Sequence, residues 1–183
     1  MYNLYIMKNV LFYKSNTGFT KKYVDMLKNR IATLEVFKVN KVSTKNLKDA
    51  DNIFYGGPIR NNVILGLDRF LKKYKHMKDK NIFVFAVGLE PATDDKRNLI
   101  VTANNLDSYH VRLYLLPGGL DIKKMAPLQR FFIKTGLKFA AKKEGGASSD
   151  AMLSMLNNPQ DRVDNANLDV MVNKFHDVSL RSK

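Results

Sequence analysis

Short β-branched and aromatic runs alternate along this chain with stretches whose apolar residues recur at helical spacing. Asn9–Lys14 (NVLFYK) reads as a buried strand, followed by the turn Ser15–Gly18 and a helix over Phe19–Ile31 with Tyr23, Met26, Leu27 and Ile31 on one face. Glu35–Val39 alternates as a second strand, and Asn52–Tyr55 is a third, stopped by Gly56-Gly57-Pro58. Val63–Lys75 repeats a helical pattern through Leu67, Phe70, Leu71 and Tyr74. Asn81–Val87 (NIFVFAV) is apolar throughout and ends at Gly88, the pattern of a central parallel strand. Asp94–Leu106 is expected as a helix with Asp94 and Asp95 at its positive end. Tyr109–Leu116 supplies the fifth strand, and Leu168–Val178 a closing helix.

Five strands separated by helices specify an α/β domain with a parallel sheet covered on both faces. The 183 residues are expected to form a single domain, 1–183. One stretch interrupts the alternation: an insert over 120–167. It holds a basic, apolar helical segment, Met125–Lys143, with Pro127 suited to the first turn, and then a Gly/Ser/Asn-rich stretch around Gly145–Asn158. Loops of that length inside a compact domain usually carry function or structure of their own.

Apolar residues make up 45% of the chain and charged residues 26%, enough to build a full core. Cysteine is absent, which excludes disulfides, thiolate metal sites, iron–sulfur clusters and a cysteine nucleophile, and fits a reducing compartment. Charge changes the picture more. Thirty-one Lys and Arg against seventeen Asp and Glu leave a net +14, which points to an anionic partner unless the lysines are merely solvated. No run of 18 apolar residues exists, and Met1–Met7 lacks the apolar stretch of a signal peptide; Met7-Lys8 can itself serve as a start. The expectation is a cytoplasmic protein, with peripheral contact at the inner face of the membrane as an option.

Ser15-Asn16-Thr17-Gly18-Phe19-Thr20 lies directly after the first strand and opens the first helix. Ligands of open α/β sheets bind outside the carboxyl ends of the strands, where strand order reverses. The amides of Asn16 to Thr20 are helix-start donors converging on one point, where the helix dipole favours an anion. Ser15, Thr17 and Thr20 add hydroxyls, and Gly18 permits close backbone approach. A phosphate monoester suits such a site; a Ser/Thr helix cap with a turn glycine suits the same letters. Neither GxxxxGK[ST] nor GxGxxG is present.

Lys14–Thr20 (KSNTGFT) resembles the S/T-x-T-G-x-T phosphate loop of the flavodoxin-like family. Ile53–Ile59 (IFYGGPI) and Gly88–Asp94 resemble the two loops that flank the isoalloxazine ring there. The resemblance covers roughly Lys8–Leu116 and the last helix. It implies a flavodoxin-like three-layer sandwich, FMN as cofactor, and binding residues Ser15, Asn16, Thr17, Gly18, Phe19, Thr20, Gly57, Pro58, Ile59, Arg60, Asn61, Gly88, Leu89 and Glu90. Gly119–Met125 and Leu128–Lys134 are similar to the insert of menaquinone-dependent protoporphyrinogen oxidases, implying a porphyrinogen donor and a quinone acceptor. The polar tail Gly145–Asp164 is longer than in that pattern. Neither ring-flanking loop offers the aromatic that ordinary flavodoxins stack on the flavin. Arg60 stands there instead, either tuning the reduced flavin by Coulomb attraction or pointing to solvent.

Arg130, Lys134, Lys138 and Lys142 recur every fourth residue as one basic stripe beside Leu128, Phe131, Phe132, Thr135 and Phe139. Basic amphipathic helices suit membrane surfaces; a core or homo-oligomer seam is the alternative for residues 125–143. His76, His110 and His176 have no ligand-like spacing, so no metal is expected. A phospho-acceptor receiver domain needs acidic residues where Ser15-Asn16 and Gly56-Gly57 stand. Lysines spread along the whole chain, with no recognition module, argue against nucleic acid. Two function classes remain: an FMN-dependent oxidoreductase acting on a bulky organic substrate, and a basic flavodoxin-type electron carrier docking an acidic redox partner.

Overall fold

A computed structural model describes residues 7–74, 80–125, 127–144, 154 and 158–181. The main sheet has five parallel strands: β1 (Asn9–Tyr13), β2 (Leu34–Lys38), β3 (Asn52–Arg60), β5 (Asn81–Gly88) and β6 (Val111–Pro117), in the order β2-β1-β3-β5-β6. A two-residue strand, β4 (Val63–Ile64), folds back antiparallel on β3. This order is that of the flavodoxin-like α/β sandwich, and its switch point lies between the carboxyl ends of β1 and β3.

Alternation along the central strands divides the core in two. Val10, Phe12, Tyr55, Val84 and Ala86 face α2 (Thr44–Lys48), α3 (Leu67–Tyr74) and α4 (Asp94–Ala103). Leu11, Tyr13, Phe54, Phe83 and Phe85 face α1 (Phe19–Arg30) and a C-terminal helix described below. On α1 the face formed by Tyr23, Val24 and Leu27 is fully buried, each side chain contributing about 1.5–3 kcal/mol. The buried Asn9 and Asn52 pair with each other at 3.0 Å at the strand starts, so neither amide is left orphaned.

Several boundaries depart from the pattern reading. β3 does not stop at Gly56-Gly57-Pro58 but runs to Arg60, with Gly56 opposite Phe85, Gly57 opposite Ala86 and Pro58 opposite Val87. Any Cβ at Gly56 would fall inside the Phe85 ring, so the glycine serves close packing rather than a turn. Val63 and Ile64 belong to the hairpin, not to a helix. Asn61 and Asn62, at φ 49° and 64°, form a two-residue turn, and the helix begins only after Gly66; Lys75, its expected end, lies outside the described residues. α4 ends at Ala103 rather than Leu106, because the Asn104 side chain folds back on the Ile100 carbonyl and Asn105 is left-handed. β6 starts at Val111, after a 3₁₀ turn over Leu106–Ser108. A short helix, α2, was not expected; Ser43 caps it through the Asn46 N–H at 3.2 Å.

The insert leaves β6 through β7 (Gly119–Leu120) and a 3₁₀ turn at Ile122–Lys124, then forms α5 (Pro127–Glu144). It returns through β8 (Gln160–Asp161), antiparallel to β7, and a 3₁₀ turn at Asn165–Leu168 into α6 (Asp169–Arg181). Most of the Gly145–Asn158 stretch, and Met1–Ile6, lie outside the described residues. Arg130 does not join a free basic stripe. Its guanidinium donates to the carbonyls of Lys123 at 2.7 Å and Met125 at 3.2 Å, tying the start of α5 to the preceding turn. Lys134, Lys138 and Lys142 are exposed, as are Phe131 at 63% and Phe139 at 74%, so these two rings are not part of the core. Among the described residues no helix is long and apolar enough to cross a membrane.

Candidate functional site

The chain leaves β1 at Tyr13, and the Lys14 N–H donates to the Gly56 carbonyl at 2.9 Å, holding the first loop against β3. Gly18, at φ 94°, turns it into α1. The Ser15 hydroxyl accepts the Lys21 N–H at 3.3 Å, and the Gly18 carbonyl accepts the Lys22 N–H at 3.0 Å. The five amides from Asn16 to Thr20 find no acceptor among the described residues. Ser15 therefore works as an internal brace, while the next five residues present a row of open donors at a helix N-terminus, the arrangement that suits an anion.

These donors open on a cavity of about 480 Å³. Asn16, Thr17, Phe19 and Thr20 line one end; Pro58, Ile59 and Arg60 line one side; Gly88 and Leu89 line another. A second cavity of about 280 Å³ shares Ile59, Gly88 and Leu89 with the first and continues past Asn61 and Glu90 to Lys96 and Arg162. Both sit at the carboxyl ends of the strands, over the switch point.

Side chains distant in sequence hold the loops around this cleft. The Asn104 amide, at the end of α4, donates to the Asn62 carbonyl at 2.8 Å and accepts the Ile64 N–H at 2.9 Å, bracing the hairpin that carries Arg60 and Asn61. Lys96, with a side chain only 13% exposed, donates to the Asn62 side-chain oxygen at 2.7 Å and pairs with Glu90 at 2.6 Å. It thereby links the loop after β3 to the loop after β5. Arg60 itself is exposed, and its guanidinium has no carboxylate partner among the described residues.

The insert lines a further side. Gly118, Gly119, Leu120 and Met125 line the larger cavity. Tyr23 donates its hydroxyl to the Pro117 carbonyl at 2.7 Å and accepts from the Asn167 amide at 3.0 Å; burial pushes its pKa up. The Asp161 carboxylate pairs with the Lys22 ammonium, which holds its pKa below the usual carboxylate range against an opposing contribution from burial. At Asp121, burial raises the pKa, but hydrogen bonds from Lys124 and the Lys123 N–H outweigh it and leave the carboxyl low. The ammonium groups of Lys22 and Lys124 lie 5.8 and 5.9 Å from the Phe19 ring centroid.

The residues singled out from sequence are thus distributed unevenly. Asn16, Thr17, Phe19, Thr20, Pro58, Ile59, Arg60, Gly88 and Leu89 line the larger cavity, and Asn61 and Glu90 the smaller one. Gly18 shapes the turn; like Ser15 and Gly57 it lies off both linings, Gly57 beneath Ile64. The sequence reading missed Lys96, Asn104, Arg162 and the insert residues Gly118–Leu120. Only the Pro117-Gly118-Gly119 turn, directly after a strand, carried a local signal for any of them. No cluster of potential metal ligands occurs among the described residues.

A flavodoxin from the domain Archaea is similar in structure at 15% identity, covering 82% of this chain and 97% of that one, with a TM-score of 0.46. A flavoprotein from Lactobacillus acidophilus NCFM, solved in complex with FMN, is 16% identical over 61% of this chain and 93% of that one, with a TM-score of 0.45. The two-electron reduced flavodoxin of Megasphaera elsdenii is 15% identical, covering 65% and 88%, with a TM-score of 0.46. No curated protein matches the chain. The family model of the flavodoxin domain matches residues 10–146, most of the β1–β6 body together with α5, and the chain belongs to that family.

Proposed function

We propose that this protein is an FMN-dependent oxidoreductase that takes electrons from a bulky organic donor and delivers them to a quinone. The observation that carries this reading is the row of open amides over Asn16–Thr20, at one end of a cleft lined by the β3 and β5 loops and the insert. The donor set fits the cofactor: main-chain N–H groups and the hydroxyls of Thr17 and Thr20 for a phosphate monoester, and the apolar Ile59, Leu89 and Leu120 for a ring system. With no cysteine in the chain, a cysteinyl link to the flavin is excluded.

When bound, FMN supplies two-electron transfer between donor and acceptor. Asn16 to Thr20 anchor the phosphate end. Ile59 and Leu89, from opposite loops, would pack against the ring and shield it from water, and Lys96 links those loops through Asn62 and Glu90. Arg60, exposed on the cleft lining and without a carboxylate partner among the described residues, would supply a positive charge toward a bound flavin. Two electrons and two protons leave the donor, and the quinone takes up the same number to become a quinol. The wall formed by Gly119, Leu120 and Met125, with the second cavity beyond Leu89, favours a substrate-processing cleft over an open flavin edge. The insert's resemblance over Gly119–Lys134 supports a porphyrinogen as the donor.

α5 completes the proposal. Exposed Phe131 and Phe139 share a face with exposed Lys134, Lys138 and Lys142, as a helix lying on an anionic lipid surface would require for contact with a membrane quinone.

The test is direct. Purified protein incubated with FMN and desalted retains a flavin spectrum, which then bleaches with protoporphyrinogen and recovers with a quinone. Thr17→Ala with Thr20→Ala weakens FMN binding by about 1–3 kcal/mol for each hydrogen bond lost to the charged phosphate. A protein that is folded by circular dichroism yet stays colourless overturns the reading. Bleaching by a reduced acidic redox protein but by no organic donor replaces it with an electron carrier, the alternative that the net charge of +14 favours.

A further inference from the structure

Residues 160–162 bridge the two rims of the cleft. Gln160 pairs with Leu120 and Asp161 with Gly119 in the β7–β8 ladder, so the segment starts from the cavity wall. From there the Asp161 carboxylate reaches the Lys22 ammonium on α1, just past the open amides. Arg162 donates its main-chain N–H to the Gly118 carbonyl at 3.0 Å and its guanidinium to the Leu89 carbonyl. Two consecutive residues therefore hold α1 on one side and the loop after β5 on the other.

The parts held differ in their freedom to move. α1 is fixed by its buried face, and β5 is buried up to Val87. Leu89 is 44% exposed, and Glu90 to Ala92 are exposed, so this loop is the side of the cleft that can give way. Beyond its root, where the Gly118 N–H donates to the Gly88 carbonyl at 2.7 Å, its side-chain fastenings among the described residues are the Glu90–Lys96 pair and the Arg162 guanidinium. Arg162 forms no ion pair with a described carboxylate, so its charge is spent on that carbonyl. A hydrogen bond from a charged donor is roughly twice as strong as a neutral one, and the guanidinium presents it from a rigid plane.

We propose that residues 160–162 are a strap controlling passage into and out of the cleft, with Arg162 as the positioning residue that latches the Leu89 loop. This rests on the FMN reading above. A latch of this kind slows entry and exit alike, because both need the same opening. It differs from a binding contact, whose loss speeds exit alone.

The experiment measures FMN association and release by stopped-flow flavin fluorescence on wild type, Arg162→Ala, Arg162→Lys and Asp161→Asn. Arg162→Ala is expected to raise both rates about tenfold and to leave Kd within about threefold. Arg162→Lys falls between, keeping the charge without the planar donor. Asp161→Asn raises both rates by a smaller factor and provides the measurement should Arg162→Ala not fold. Rates unchanged in folded Arg162→Ala and Asp161→Asn overturn the strap while leaving the FMN reading intact. A faster release with an unchanged association rate also overturns it, making Arg162 an ordinary contact. Wild type that binds no FMN overturns the functional reading itself, and the strap with it.

Discussion

Asn104→Ala tests whether the hairpin beside the cleft is held by a side chain from a helix 40 residues away. The amide makes three hydrogen bonds: it donates to Asn62 O at 2.8 Å and Ile100 O at 2.7 Å, and accepts Ile64 N–H at 2.9 Å. Each is worth about 0.5–1.5 kcal/mol net, and an N–H left buried without an acceptor costs about 1–3 kcal/mol. Ile64 is 1% exposed, so its N–H has poor access to water and the higher part of the range applies there. The Ile100 and Asn62 carbonyls can regain water, so their loss sits at the low end. Together the substitution costs about 2–4 kcal/mol, which for a chain of this size lowers the melting temperature by roughly 4–16 °C. Urea and thermal unfolding of the two proteins measure it. FMN affinity falls in parallel, because Ile59 and Asn61, which line the cleft, belong to the hairpin that Asn104 holds. Asn104→Asp separates the contributions: it keeps the acceptor for Ile64 but loses both donors. A loss below about 0.5 kcal/mol in Asn104→Ala would mean that the turn chemistry of Asn61 and Asn62 alone sets the hairpin, and would refute the bracing role.

Arg60→Ala is expected to lower the two-electron flavin potential with little change in FMN affinity, by about 30 mV for each 1.4 kcal/mol of lost Coulomb stabilisation; potentiometric titration decides, and an unchanged or higher potential removes Arg60 from the account. Asp161 has its pKa lowered in the folded state, so its contribution is present above the unfolded value of about 3.9 and is lost as pH falls through the folded one. Both partners are near half exposed, so the stability difference between wild type and Asp161→Asn is under about 1 kcal/mol at about pH 6 and vanishes well below pH 3; an undiminished difference in acid contradicts the ion pair. Reversing Lys134 and Lys138 to Glu is expected to weaken co-sedimentation with anionic vesicles, each lysine contributing about 1 kcal/mol in a salt-dependent way. Phe131→Ser with Phe139→Ser is expected to weaken it independently of salt. Full binding by the charge-reversed protein would leave α5 as a packing or subunit element.

The legible parts of this molecule are those whose cause is local. β1 and β5 announce themselves because strands buried on both faces need uninterrupted apolar residues, and the first loop because a Ser/Thr/Gly run directly after a strand marks the turn into a helix, whether it serves an anion or only a cap. Gly56-Gly57-Pro58 misled for the opposite reason. Such letters normally end a strand, and here the ring of Phe85, 29 positions later, requires the first glycine. Lys96, Asn104 and Arg162 act on loops 34, 42 and 73 residues away, and nothing in their own neighbourhoods marks them as different from other surface polar residues. Arg130 has the spacing of a periodic basic stripe, yet its guanidinium holds two carbonyls of the preceding turn, a partnership its spacing does not encode.

The strap also has a consequence for the order of events during synthesis. β6 ends at Pro117, so the strands and loops carrying the open amides and both ring-flanking loops are translated before residues 160–162 exist. The Lys22–Asp161 pair then closes a span of 139 positions, and such long closures carry an entropic cost that grows with the logarithm of length. On a ribosome adding about 5–20 residues per second, some seconds separate the completion of β6 from the arrival of the strap. A nascent chain therefore carries the open amides and both ring-flanking loops before either the strap or α6, which covers one face of the sheet, has been made, so the latch is among the last contacts to form.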